Sequence, residues 1–251
     1  MRYFFCLALL ILSPIAFAQG LDDYSAKYQI EMNGLQAGEL TQELETLTDG
    51  LHRFSSVTKA KGVVALFRRD TVKESSLWIL SKQQTQPHQY LYQRSGGKKD
   101  KYLRMDFDWR KNSVHIDDKV HPWNLDIEDG TLEKHLYQVQ LRLDLLKNPQ
   151  QTNFNYSIAD GGRIKHYEIE RLEQETITTP LGKIATVKFK RQRDRESDKD
   201  RETTLWCAPE LNYLPVKLEH IEKDGTKFIA VIRRLDGIST SAFQPINQTS
   251  P

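Results

Sequence analysis

Short turn signals cut this chain into segments of strand length, and that punctuation constrains the fold more than any other feature. Asn33-Gly34, Asp49-Gly50, Asp160-Gly161-Gly162, Pro180-Leu181-Gly182 and Asp224-Gly225 each sit between stretches that alternate apolar and polar residues. Asn-Gly and Asp-Gly favour tight hairpins, because both central residues adopt positive φ at little cost. Local turns join neighbouring strands antiparallel, whereas a parallel sheet needs long crossovers. Leu40, Gln42, Leu44 and Thr46 share one parity, with Glu39, Glu43 and Glu45 on the other, which is the mark of a strand with one wet face. The pattern predicts about ten strands in a mainly β, long, curved antiparallel sheet, open or half-barrel. Residues 62–70 (GVVALFRRD) fit either a short helix or a buried strand.

One helix interrupts the strands. In Thr131–Lys147, Leu132, Leu136, Val139, Leu143 and Leu146 recur at steps of four and three, and Tyr137, Leu141 and Leu145 widen the stripe. Asp129 or Thr131 is expected to cap its start, and Asn148-Pro149 stops it. Such a helix buries its stripe against the sheet, which wraps over it. For the hairpin at Asp224-Gly225, a two-residue turn would place Ile221 opposite Phe228 and Leu218 opposite Val231. Val216, Leu218, Ile229 and Val231 would then share one inward face.

The first residues, MRYFFCLALLILSPIAFAQG, read as a secretory leader. Arg2 is followed by an apolar run too short to span a bilayer, and Ala16-Phe17-Ala18 suits cleavage after Ala18. Export to the periplasm follows, with a single β-rich domain at 19–238 and a polar tail at 239–251. Cleavage would discard Cys6 and leave Cys207 as the one cysteine, so no intramolecular disulfide is expected and the core must carry stability. It would also remove Arg2, taking the formal charge from +2 to +1. That balance gives no footprint for nucleic acid. No second apolar stretch of about 18 residues offers a transmembrane anchor.

No motif names a reaction. The seven histidines form neither H-E-x-x-H nor H-x-H, and His115 and His121 stand six apart across a turn expected at Asp117-Asp118, so no metal site or cofactor is expected. The serine-hydrolase elbow, the phosphate loop and the dinucleotide fingerprint are missing. Cys207 follows Trp206 on a strand ending at Pro209, and its parity with Leu205 suggests packing over reactivity. The mixed-charge run at 191–201 reads as a solvated hairpin tip.

Leu205-Trp206, the proline corner, Leu214-Pro215-Val216-Lys217-Leu218-Glu219 and the Lys223-Asp224-Gly225 turn resemble the C-terminal signature of an exported bacterial family, the domain-of-unknown-function family 3108. Thr179-Pro180-Leu181-Gly182 with Ala185-Thr186-Val187-Lys188 resembles that family's preceding hairpin. More loosely, the Trp and Leu-Pro-Val-Lys pattern is similar to periplasmic lipoprotein-carrier and lipoprotein-receptor proteins, whose curved sheet holds acyl chains. The chain departs from these in having one clear helix and no lipid-attachment cysteine after its leader. The resemblance implies a non-catalytic envelope protein holding a lipid or other apolar ligand. Candidate cavity residues are Leu136, Val139, Leu143, Trp206, Val216, Leu218, Ile229 and Val231, which would equally serve a dry core. Two other readings stay open. One is a scaffold that recruits an envelope protein at an exposed sheet edge, and the other is a glycan hydrolase with paired carboxylates.

Overall fold

The computed structural model describes residues 21–246 apart from 63, 64, 66–68, 98 and 194–200. The expected leader, most of 62–70 and most of the mixed-charge run therefore lie outside the described residues. The first half of the chain forms β1 (Tyr24–Met32), β2 (Leu35–Thr46), β3 (Leu51–Ala60), β4 (Thr71–Ser81), β5 (Gln84–Ser95), β6 (Lys101–Asp108), β7 (Ser113–Asp117) and β8 (Trp123–Asp126). A two-residue β9 (Leu132–Glu133) and the helix α1 (Tyr137–Lys147) follow. The second half supplies β10 (Asn153–Ala159), β11 (Ile164–Thr179), β12 (Gly182–Arg193), β13 (Glu202–Ala208), β14 (Leu214–Ile221) and β15 (Lys227–Asp236).

All fifteen strands join one open sheet in the order β8-β7-β6-β5-β4-β3-β2-β1-β15-β14-β13-β12-β11-β10-β9. Every pairing is antiparallel except that of β9 with β10. The first and last strands meet at its centre, where β1 pairs with both β2 and β15. Although the edges do not pair, α1 touches both β5 and β10, ten places apart in that order. Only a sheet that bends around the helix brings those strands to it, so the expected curved sheet over one helix holds. Asn33 and Gly34 take positive φ in the two-residue loop between Met32 and Leu35, as their chemistry predicts.

Two expectations need correction. The helix starts at Tyr137, six residues later than the leucine spacing suggested. Leu132 and Glu133 pair instead with Ile158 and Ala159, and the Glu133 carboxyl accepts the backbone N–H groups of His135 and Leu136. Asp129 and Thr131 therefore do not cap the helix. The β14–β15 loop is also one residue longer than a two-residue turn. Glu222 N–H donates to Thr226 O and Gly225 N–H to Glu222 O, with Gly225 at φ 80°. Leu218 consequently faces Ala230, and Ile221 faces Lys227. A one-residue slip moves every side chain of a strand to the other face. Ile229 and Val231 thus lie on the face opposite Val216 and Leu218.

The core has two parts. The larger gathers around α1, including Tyr24, Tyr28, Leu44, Phe54, Leu136, Leu141, Phe189 and Leu205, all buried. The smaller joins Tyr90, Met105, Phe107, Val114 and Ile116 beneath β5 to β7. Beyond β15 the chain turns back, and Gln244 exchanges two backbone hydrogen bonds with Lys183 while Phe243 packs against the larger cluster.

Candidate functional site

Cross-strand rows on the concave face explain where the interior is solid and where it is hollow. Near α1 the row across β1, β2 and β3 is Tyr24, Leu44 and Phe54. These large side chains close the space. At the other end of the same strands the row is Ile30, Gly38 and Ala60. Small residues there cannot fill the curve, and a cavity of about 490 Å³ remains. Ile30 and Met32 line it from β1, Ala37 and Gly38 from β2, Thr58 and Ala60 from β3, Val72 from β4 and Phe228 from β15. Among the described lining residues Asp70 carries a charge and is paired with Arg94, while Lys59, exposed and alternating with Thr58 and Ala60, contributes its backbone. A register shift in the β1–β2 pairing lies between Ile30 and Glu31 beside Ala37. Gly38 is required there because a Cβ would stand 2.8 Å from Lys59 O. Its volume suits a small-molecule site, and an almost wholly apolar lining suits an apolar ligand.

The residues expected to form a cavity are placed elsewhere. Leu136 and Val139 are fully buried in the packed cluster around α1, and Val216 is buried with them. Leu143 and Leu218 are half-buried. Ile229 and Val231 are half-buried as well, on the convex face. Trp206 is buried at the margin of the same cluster and pairs with Lys188 and Lys217. Its indole N–H donates to Glu175, and Lys217 Nζ lies 4.0 Å from the ring centroid. None of the eight is among the lining residues of the apolar cavity. A sequence signal for this hollow did exist, since a glycine inside a strand marks a bulge or a close approach. Gly38 carries it.

A buried polar group lies where the link from β9 into α1 meets β4. Ser76 Oγ–H donates to Glu133 Oε1 at 2.6 Å, and Ser76 Oγ is 3.0 Å from His135 Nδ1. The Ser76 hydroxyl has one proton and gives it to Glu133, so Nδ1 is the donor in the second bond, and the downward shift of His135 by burial leaves the ring neutral near pH 7. His135 Nε2 is buried with no hydrogen-bond partner among the described residues, and the ring stacks on Phe54 at 4.2 Å. Burial pushes the Glu133 carboxyl up to about 7, even though Ser76 and two backbone N–H groups donate to it. Burial likewise pushes His135 down to about 4, with nearby Glu74 acting against that change. These are the residue types of a hydrolytic triad in the wrong arrangement. Acid and imidazole both bond the serine itself, and Ser76 is 0% exposed.

Cys207 is fully buried, and burial pushes its thiol up to about 12. It packs in the core, in surroundings that disfavour the thiolate. Among the described residues, no group of three or more His, Cys, Asp or Glu is placed to hold a metal ion. No described helix is long and apolar enough to cross a membrane.

Among solved structures, a beta-barrel-like protein of domain of unknown function DUF1849 from Brucella abortus superposes with a TM-score of 0.58 at 8% identity, covering 88% of this chain and 100% of that one. At this identity the likeness shows the fold alone. A Bacteroides fragilis protein provisionally described as exported, with a YmcC-like fold, gives a TM-score of 0.35 at 9% identity over 86% of this chain and 97% of its own. A Parabacteroides distasonis protein provisionally described as a lipoprotein gives 0.31 at 14% identity over 88% and 97%. No curated protein sequence matches the chain. The family described as a protein of unknown function, DUF3108, matches residues 24–232, and the chain belongs to it.

Proposed function

We propose that the protein is exported to the periplasm and there holds an apolar, lipid-like ligand without acting on it chemically. The observation that carries this reading is the cavity of about 490 Å³ on the concave face, walled by Ile30, Met32, Val72 and Phe228. This hollow is open to solvent on one side, and its apolar walls set it apart from the close-packed cluster around α1. Export rests on the pattern of residues 1–18, which suits a cleaved leader.

Mass spectrometry of material gently extracted with the protein from its native compartment tests the reading. Acyl lipid should be recovered in stoichiometric amount from the parent protein. It should be lost from a variant whose cavity is filled, Ala37→Phe with Val72→Phe, provided that variant keeps its circular dichroism. Equal recovery from both proteins, or none from the parent, would refute it.

A further inference from the structure

The curved sheet fails to close along one seam, and the strand beside that seam is left unpaired. β9 covers only Ile158 and Ala159 of β10. Asn153 to Tyr156 therefore have a strand neighbour on the β11 side alone. Arg171 N–H donates to Thr152 O, and Asp160 N–H donates to Arg163 O. Antiparallel pairs alternate in their hydrogen bonding, so those two bonds assign the even-numbered residues of β10 to the β11 ladder. The N–H and C=O of Asn155 and the N–H of Ser157 then point away from β11, into the seam, while Ser157 C=O faces Leu132 in the short β9 ladder. Asn153 O points the same way, since it accepts a hydrogen bond from the Gln151 side chain at 2.9 Å.

The seam is a cleft of about 690 Å³ between that free edge and α1, with Gln84 and Thr85 of β5 on its far side. Natural sheets protect such an edge with lysine, proline or a bulge. Residues 153–157 (NFNYS) contain neither residue, and their register with β11 is unbroken. The floor is polar. Gln140 takes two hydrogen bonds from Thr85 and donates to Asp144, which also accepts from the Tyr156 hydroxyl at 2.7 Å. Asp129 and Asp144 outnumber Lys147 among the charged lining residues. Glu168 and Glu170 flank Asn153 and Asn155 on the outer side. This edge therefore faces carboxylates on both sides.

We propose that the seam takes an extended segment of a partner protein, added as a strand to β10, with basic and amide side chains directed at Asp144 and its neighbours. Main-chain bonds to Asn155 and Ser157 would supply affinity, and the carboxylates would select the segment. This site is separate from the apolar cavity and does not depend on it.

The test is selection of a random linear-peptide phage library on the purified protein, followed by titration of the enriched peptides against labelled protein. Enriched sequences should carry Lys or Arg, and their binding should shift the amide signals of Asn155 and Ser157. Asn155→Pro removes an N–H that the β11 ladder does not use, so the fold should survive. It should weaken binding roughly tenfold or more, the worth of about one lost main-chain bond plus the steric block. The cavity-filled variant should bind the same peptides as the parent. Absence of enrichment, shifts confined to other strands, or affinity unchanged in Asn155→Pro would overturn the proposal. So would self-association of the protein through this edge that Asn155→Pro abolishes.

Discussion

Glu133 and His135 should hide each other's titration, and removing either should expose the other. Both are fully buried on the short link between β9 and α1, in contact with Ser76 and near Glu74 and Lys134. Burial displaces them by similar amounts in opposite senses, Glu133 from 4.5 to about 7 and His135 from 6.5 to about 4. Each displacement corresponds to about 3 kcal/mol. Glu133 binds its proton more tightly when folded, so its contribution to stability is complete below pH 4.5 and is lost as pH rises through about 7. His135 binds its proton less tightly when folded. Its contribution is complete above pH 6.5 and is lost as pH falls through about 4. Across that window the two slopes nearly cancel, leaving a net change within about 1 kcal/mol.

Glu133→Gln keeps an acceptor for the backbone N–H groups of His135 and Leu136 but cannot titrate. Relative to the parent it should lose about 3 kcal/mol of stability between pH 8 and pH 4. His135→Asn keeps an N–H donor close to the position of Nδ1. Relative to the parent it should gain about the same amount over the same interval. Glu74 and Lys134 remain in all three proteins, so the difference curves remove most of their contribution. Urea unfolding followed by tryptophan fluorescence at several pH values provides the measurement. Difference curves of the same sign, or both flat, would refute the assignment of a neutral histidine beside a carboxyl that resists ionisation.

Other outcomes follow from single side chains. Arg142 is 2% exposed; Nε donates to Asn212 O and the guanidinium lies 5.1 Å from the Tyr24 ring centroid, but Nη1 and Nη2 find no acceptor at hydrogen-bond geometry among the described residues. Arg142→Met should therefore raise the urea midpoint, by about 1 kcal/mol or more in stability, and a lowered midpoint would show that the charge is compensated. Val216→Ala should cost about 1–3 kcal/mol, whereas Val231→Ala on the convex face should cost under about 1 kcal/mol. Comparable losses at both sites would contradict the observed register. Gly38→Ala should destabilise by about 1–3 kcal/mol, because its Cβ meets Lys59 O at 2.8 Å. A neutral result in thermal melts would count against that close approach. Cys207 should resist a thiol reagent in the folded protein and react on unfolding, and rapid labelling of the native state would show that the strand opens.

What the sequence makes legible here is local, and what it conceals depends on which residue stands opposite. Asn33-Gly34 specifies its own turn, because both residues need only their own backbone freedom. Asp224-Gly225 resembles it, yet Gly225 closes a longer loop through Glu222 and Thr226, and the choice between the loops moves Ile229 and Val231 to another face. Leu132 and Leu136 fit the helix period, but Leu132 finds a partner in Ile158, and that contact is invisible to periodicity. The cavity is a stronger case of the same dependence. Gly38 and Ala60 are small residues far apart in the chain, and they become a hollow only when the register sets them side by side against Ile30. Leu44 and Phe54 occupy the same two strands and close the interior when set against Tyr24. One sheet thus carries a solid end and an empty end, and the small row at the empty end marks the place to look for a ligand.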